Sequence, residues 1–133
     1  MSQENVELTY QMHDAFNRRD LDAFLARTDP NVEFTPYGRA VEGRGPYRGH
    51  AGVREWWRNG FDVFPDLTVE VHAVRGFAAR VFVRGRLHGH GAGSDAAFER
   101  ALWEAVEWRD AKCTWWYAFA SEAEALEAAG LSE

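Results

Sequence analysis

Three segments in the first half of the chain show the spacing of amphipathic helices. In the first segment, apolar residues recur at i, i+4, i+7 and i+8, namely Leu8, Met12, Ala15 and Phe16. A second, shorter segment begins after Asp20, which can cap a helix, and ends at the TDPN sequence of 28–31. The third covers about 51–64, and Pro65 ends it. The pattern therefore predicts three helices in the N-terminal half.

Elsewhere the apolar period changes to two, which is typical of strands with one buried face. Alternation occurs over 32–35, then over 67–74, and again from 79 to about 90. The segment CTWWYAFA at 113–120 is rich in the aromatic residues that strands favour. The last segment, SEAEALEAAG at 121–130, combines a capping box with a C-terminal glycine and predicts a short helix.

The segment 95–109, DAAFERALWEAVEWR, fits two structures. Its Ala, Glu and Leu content favours a helix, and Phe98, Leu102 and Val106 recur every four residues. The alternative is a long strand that carries these residues on one face together with Glu104 and Trp108. Taken alone, the residues favour the helix.

Composition narrows the class of protein. A chain of 133 residues, of which 46% are hydrophobic and 27% charged, can form one folded domain without disulfides. Aromatic residues make up 14%, more than a core of this size usually carries, so they line either a cavity or a partner surface. The net charge of −6 disfavours a surface for nucleic acid.

Cysteine content and the N-terminal sequence indicate a cellular location. Cys113 is the single cysteine, so neither an internal disulfide nor a thiolate metal cage is expected. The N-terminus lacks a basic start with an apolar run, and no stretch approaches 18 apolar residues. We therefore expect a cytoplasmic protein without membrane contact.

The order of these elements predicts an α+β fold with helices packed on one face of an antiparallel sheet. Three segments, HDAFNRRDLDAF (13–24), YRGHAGVREWW (47–57) and SEAEALEAAG (121–130), resemble the SnoaL-like branch of the nuclear transport factor 2-like superfamily. This superfamily includes folds of the ketosteroid isomerase and polyketide cyclase kind. The resemblance covers nearly the whole chain and implies a single SnoaL-like domain over 1–133.

The resemblance implies a cone: a curved antiparallel sheet wrapped around the three N-terminal-half helices, with a short C-terminal helix and a pocket at the open end. It also implies that 96–109 is a strand, joined to the next by the turn RDAK at 109–112. Ala111 stands where similar sequences usually have glycine in that turn. The outer sheet face of such proteins often forms a homodimer.

Glu104 is the first candidate for chemistry. On the strand it shares a face with Leu102 and Val106, where burial disfavours the charged form of a carboxylate and suits it to general acid or base work. The alternative is a solvent or dimer contact in which Glu104 pairs with an arginine. By resemblance, Glu104 matches the acidic residue that ketosteroid isomerase uses as a neutral hydrogen-bond donor.

The other two isomerase groups are missing by the same alignment. Met12 falls on the oxyanion tyrosine and Thr35 on the general-base aspartate, so a steroid isomerase reaction is not expected. His13 is a second catalytic candidate, because it can share a proton with Glu104 across the cone. The alternative for His13 is a hydrogen-bonded residue at the edge of the helix interface.

The aromatic residues divide by strand parity and alignment. The resemblance places one group on the pocket wall as ligand-binding residues: Met12, Phe16, Thr35, Trp56, Trp57, Trp116 and Ala118. Core packing is the alternative for each of them. Trp103 and Trp115 have the opposite parity and are predicted on the outer face, where a homodimer would cover them.

His88 and His90 share one strand face with Arg84 and Arg86. No third metal ligand is identifiable from the spacing, so no metal site is predicted. A basic rim for a carboxylate-bearing ligand and a solvated surface both remain open.

Two functions follow. The first is a cofactor-independent proton-transfer enzyme, of the isomerase, cyclase, dehydratase or hydrolase type, acting on an apolar or polycyclic small molecule. The second is a non-catalytic dimeric ligand-binding or accessory module of the same fold.

Overall fold

The computed structural model describes residues 2–131, which form five helices and six strands. The helices are α1 (Ser2–Asn17), α2 (Leu21–Ala26), α3 (Tyr37–Val41), α4 (Gly49–Val63) and α5 (Glu122–Ala128). The strands are β1 (Thr28–Thr35), β2 (Tyr47–Arg48), β3 (Thr68–Phe77), β4 (Arg80–His90), β5 (Ala97–Arg109) and β6 (Lys112–Phe119). The predicted α+β class is confirmed.

All six strands belong to one curved, unclosed sheet in the order β2-β1-β6-β5-β4-β3. Its neighbours pair antiparallel except β1 and β6, which run parallel with Phe34 opposite Trp116. The predicted antiparallel sheet is confirmed except at this pair, where β1 follows the α1–α2 hairpin and enters the sheet without a turn from a neighbouring strand.

The sheet bends where β3 pairs with β4. The register shifts between Val71 and Ala73, so β3 carries a bulge there. Opposite the bulge is Gly85, where a Cβ atom would collide with the Glu70 carbonyl oxygen. A bulge increases local bend and twist, and glycine lets the two backbones approach at that point.

Residues 97–109 form β5, the longest strand of the described residues. It hydrogen-bonds to β4 on one side and to β6 on the other, so the sheet satisfies its backbone groups from both sides. The strand implied by the family resemblance is confirmed, and the helix favoured by residue propensity is wrong. The turn after it holds Asp110 at φ 51° and Ala111 at φ 62°, a conformation that glycine adopts without steric cost.

The glycine-rich segment after β1 contains the short helix α3. Pro36 precedes it in an extended conformation, and the Pro36 carbonyl accepts the Ala40 N–H at 3.0 Å. The helix packs beside β1 and β6 and brings its side chains over the inner face of the sheet. It therefore adds a wall that the three predicted helices do not provide.

Two apolar clusters lie on opposite faces of the sheet. The inner cluster joins α1, α2 and α4 to the concave face and includes Met12, Val53 and Val106. The outer cluster is smaller, and in it α5 packs on Phe82 and Ala105. Ser121 accepts the Glu124 N–H at 3.2 Å and caps α5, which confirms that the capping sequence begins a helix.

Candidate active site

A cavity of about 520 Å³ lies between the inner sheet face and the helices. Its inner end is lined by buried side chains: His13, Phe16, Phe24, Phe34, Val69, Leu102, Glu104 and Trp116. Its outer end is lined by exposed residues: Gly38, Glu42, Arg44, Asn59 and Val63. The cavity is thus mainly apolar and closed at one end, where His13 and Glu104 are its polar groups, and charged and open at the other.

Two titratable side chains meet at the inner end. His13 on α1 and Glu104 on β5 are 4% and 7% exposed, and His13 Nε2 lies 3.0 Å from Glu104 Oε1. Alternation along β5 turns Glu104 inward with Leu102 and Val106, as the strand interpretation predicted. The predicted contact across the cone between His13 and Glu104 is present. Their roles in catalysis stay a prediction.

The hydrogen bonds of His13 fix where its protons are. His13 Nδ1 lies 2.8 Å from the Thr9 carbonyl oxygen, which only accepts, so Nδ1 carries a hydrogen. Nε2 then faces Glu104 Oε1 across a single shared proton, which belongs to either the imidazole or the carboxyl group. Within residues 2–131, Glu104 Oε2 has no hydrogen-bond partner, and Glu104 lines the cavity.

Opposing effects act on the pKa of His13. Burial alone would lower it, because a low-dielectric surrounding disfavours the imidazolium. The hydrogen bond to Glu104, the negative charge of Glu104 and the Thr9 carbonyl together outweigh burial and raise the pKa of His13 above its usual 6.5. The charged imidazole is therefore retained to higher pH than in a free histidine.

A row of polar side chains on α1 positions His13, and it was not predicted from the sequence. Asn5, Thr9, His13 and Asn17 recur every four residues on the buried face. Asn17 exchanges two hydrogen bonds with the backbone of Val69, at 2.8 and 2.9 Å. The recurrence of polar residues beside the apolar stripe was the signal that could have found the row.

Thr9 links this row to the sheet. Its hydroxyl donates to the Asn5 carbonyl at 2.7 Å and accepts from Trp108 Nε1 at 2.9 Å. Since Thr9 and Trp108 are both buried, the bond between them fixes the position of α1 relative to β5. The imidazole of His13, one turn further along α1, is held opposite Glu104 as a result.

The structure divides the predicted ligand-binding residues. Phe16, Trp56 and Trp116 line the cavity. Met12 and Thr35 are buried in the core, Trp57 packs against Phe16 and Phe24, and Ala118 lies on β6 opposite Glu104; these four are outside the cavity wall. Phe24, Phe34 and Tyr47 line the cavity without having been predicted.

Trp116, a residue of the cavity wall, has a buried polar atom without a hydrogen-bond partner. Its indole ring is 5.0 Å from the His13 ring, between centroids, and it is 3% exposed. Its Nε1–H is buried and has no acceptor within residues 2–131. An unpaired buried donor is costly, and this N–H is closed off from the cavity as well as unpaired.

Four basic residues in the second half of β4 lie on the outer face, away from the cavity. Each has an acidic neighbour: Arg84 with Glu122, Arg86 with Glu99, His88 with Glu70 and His90 with Asp66. Hydrogen bonds from His90 lower the pKa of Asp66. These pairs form a charged outer surface, and the alternative of a basic rim at the pocket is wrong.

Trp103 and Trp115 are on the outer face, as their parity predicted, and both are half-buried against the α5 cluster. The thiol of Cys113 is buried, and burial raises its pKa well above the usual value. Among the described residues, no group of three or more His, Cys, Asp or Glu side chains is placed to hold a metal. None of the helices in 2–131 has both the length and the apolar character to span a membrane.

Comparison with known families decides the classification. The model of the SnoaL-like domain matches residues 10–119. The chain belongs to the SnoaL-like domain family. The predicted family is confirmed, whereas no curated protein matches this SnoaL-like chain.

Solved structures similar to this SnoaL-like protein share its fold at low sequence identity. A putative polyketide cyclase from Xanthomonas campestris pv. campestris aligns with a TM-score of 0.77 and 20% identity, over 92% of this chain and 94% of that one. An NTF2-like protein of unknown function from Burkholderia pseudomallei aligns with a TM-score of 0.76 and 20% identity, over 94% of this chain and 96% of that one. TerC, co-crystallized with polyporic acid, aligns with a TM-score of 0.75 and 22% identity, over 92% of this chain and 95% of that one.

Proposed function

We propose that this SnoaL-like protein is a cofactor-independent enzyme that transfers protons on an apolar or polycyclic small molecule. The observation that supports the proposal is the buried His13–Glu104 pair at the closed end of an aromatic cavity. A carboxylate paired with a histidine in a site that excludes water suits general acid–base catalysis. The similar folds of a putative polyketide cyclase and of TerC, crystallized with polyporic acid, agree with such a ligand.

Each group of the site has a role in this mechanism. Glu104 Oε2, the oxygen without a protein partner in the described chain, takes a proton from a carbon or oxygen of the bound molecule. His13 holds Oε1 and passes or receives the shared proton, while its Nδ1–H stays on the Thr9 carbonyl. Returning the proton to another atom of the ligand completes an isomerisation or a cyclisation.

One observation favours the second function, a non-catalytic ligand-binding module. Met12 and Thr35, the positions of the isomerase tyrosine and aspartate by resemblance, are core residues outside the cavity wall. A binding module would use the same cavity but would show no turnover.

Kemp elimination tests for a base in the cavity without knowledge of the natural substrate. In nitrobenzisoxazole, a base removes the ring C–H proton, the N–O bond breaks, and a coloured cyanonitrophenolate forms. We expect the protein to exceed an equal concentration of acetate by about a hundredfold or more, because the base is positioned and desolvated. Absorbance of the phenolate measures the rate.

Inhibition locates that activity in the cavity. The neutral fluorophore N-phenyl-1-naphthylamine should bind the aromatic wall and inhibit the elimination competitively. Binding of the fluorophore without any acceleration would contradict the enzyme and support the binding module. Acceleration that the fluorophore does not inhibit would place the base elsewhere.

We further propose a homodimer through the outer sheet face. Trp115, Tyr117 and Phe119 form a row on β6, with neighbouring ring centroids 6.1 and 4.5 Å apart, and all three are half-buried. Trp103 lies in the same outer cluster, partly covered by α5.

Light scattering should give twice the 15.1 kDa chain mass for the wild type, and Tyr117→Glu should restore the mass of one chain, 15.1 kDa. A wild-type mass of one chain would contradict the dimer, and Arg75→Glu on exposed β3 is the control.

A further inference from the structure

The open end of the cavity carries an excess of positive charge. Arg39, Arg44 and Glu42 line this part of the wall. Arg44 Nη1 lies 3.4 Å from Glu42 Oε1, so these two side chains neutralise each other. Within residues 2–131, Arg39 forms no ion pair, and it is the cation of the wall left without a carboxylate.

The Arg39 side chain is positioned by an aromatic ring and a backbone carbonyl, without an ion pair to a carboxylate. Its guanidinium carbon lies 3.8 Å from the centroid of the Tyr47 ring, and its Nη1 donates to the Gly45 carbonyl at 3.1 Å. Its Nε is buried and has no acceptor among the described residues. Nη2 makes no hydrogen bond to the described residues and is not among the buried atoms, so its donors can meet an acceptor that arrives from outside.

The charge of the whole chain makes this arrangement selective. The net charge is −6, so the protein as a whole repels anions, and an anion is retained only where a local cation is aimed at it. Arginine binds carboxylate, sulfonate and phosphate groups with two parallel hydrogen bonds. The aromatic wall beside Arg39 suits a ring system attached to such a group.

We propose that the cavity selects an aromatic or polycyclic molecule that carries an anionic group, which Arg39 binds at the open end. The rings lie along the aromatic wall, and the opposite end of the molecule reaches His13 and Glu104. This inference rests on the proposed ligand-binding function of the cavity, because Arg39 only orients what the cavity holds. Arg39 is a specificity residue and takes no part in the proton transfer.

Two fluorophores with one skeleton test the proposal. Anilinonaphthalene sulfonate carries a sulfonate, and N-phenyl-1-naphthylamine is the same ring system without it. We expect the wild type to bind the sulfonate at least as tightly as the neutral probe despite the acidic protein. Arg39→Gln should lower the affinity for the sulfonate probe by about tenfold or more, since one charge-assisted hydrogen-bond pair is lost. It should change the affinity for the neutral probe by less than about twofold. Arg58→Gln, exposed on α4 and outside the wall, should change neither.

The two probes separate the two proposals. If neither probe binds the wild type, the ligand-binding function fails and the anion site fails with it. If the neutral probe binds but Arg39→Gln leaves sulfonate affinity unchanged, or lowers both affinities equally, only the anion site is contradicted. Should Arg39→Gln not fold, the wild type alone decides: tighter binding of the neutral probe than of the sulfonate would contradict the site.

Discussion

Glu104→Gln is expected to lower kcat/KM for nitrobenzisoxazole elimination by roughly a hundredfold to ten-thousandfold, the range for loss of a positioned general base. Glutamine has the shape of glutamate, and its amide N–H can donate to a neutral His13 Nε2, so the 3.0 Å contact is preserved. The amide oxygen, however, does not accept a proton near neutral pH. Initial rates with wild type and variant measure the loss.

Glu99→Gln is the matched control for this variant. Glu99 is on the same strand, β5, but is exposed on the outer face and pairs with Arg86. We expect it to leave kcat/KM within about twofold of the wild type, because a surface ion pair contributes little. If Glu104→Gln retained full activity while binding the neutral fluorophore normally, Glu104 would not be the base.

Strand β5, which carries Glu104, shows where sequence periodicity fails. Phe98, Leu102 and Val106 are four residues apart, and a spacing of four fits both a helical stripe and one face of a strand. The two structures differ only in what β4 and β6 supply, namely hydrogen bonds from distant parts of the chain. Local propensity does not contain that information, whereas the family resemblance does.

The site was predictable at its inner end and not at its outer end. Glu104 and His13 lie on long elements whose faces follow from spacing, so their meeting could be predicted. Arg39 lies on α3, a helix of five residues within a glycine-rich segment that has no periodicity to indicate it. Spacing and alignment also give a face but not a depth: Met12 shares the buried face of α1 with Phe16, yet Phe16 lines the cavity and Met12 is core.

The shared proton also links the candidate site to stability. In the folded protein the pKa of His13 is raised above 6.5, so the native state binds more protons than the unfolded state as pH rises through this region. The stabilisation from the His13–Glu104 pair is therefore complete below pH 6.5 and is lost as pH rises through the raised pKa. We expect the free energy of unfolding of the wild type to fall across that window.

His13→Leu should remove the part of this pH dependence that the imidazole contributes, and should destabilise the fold by about 3–5 kcal/mol as long as Glu104 is ionised, because the carboxylate is then buried without its partner. Urea denaturation followed by tryptophan fluorescence, at pH values below and above 6.5, measures both quantities. The same substitution at His72, which is exposed on β3, should change stability by less than about 0.5 kcal/mol. A His13→Leu protein as stable as the wild type below pH 6.5 would show that the pair carries no shared proton of consequence, and the assignment of His13 as the partner of Glu104 would fall with it.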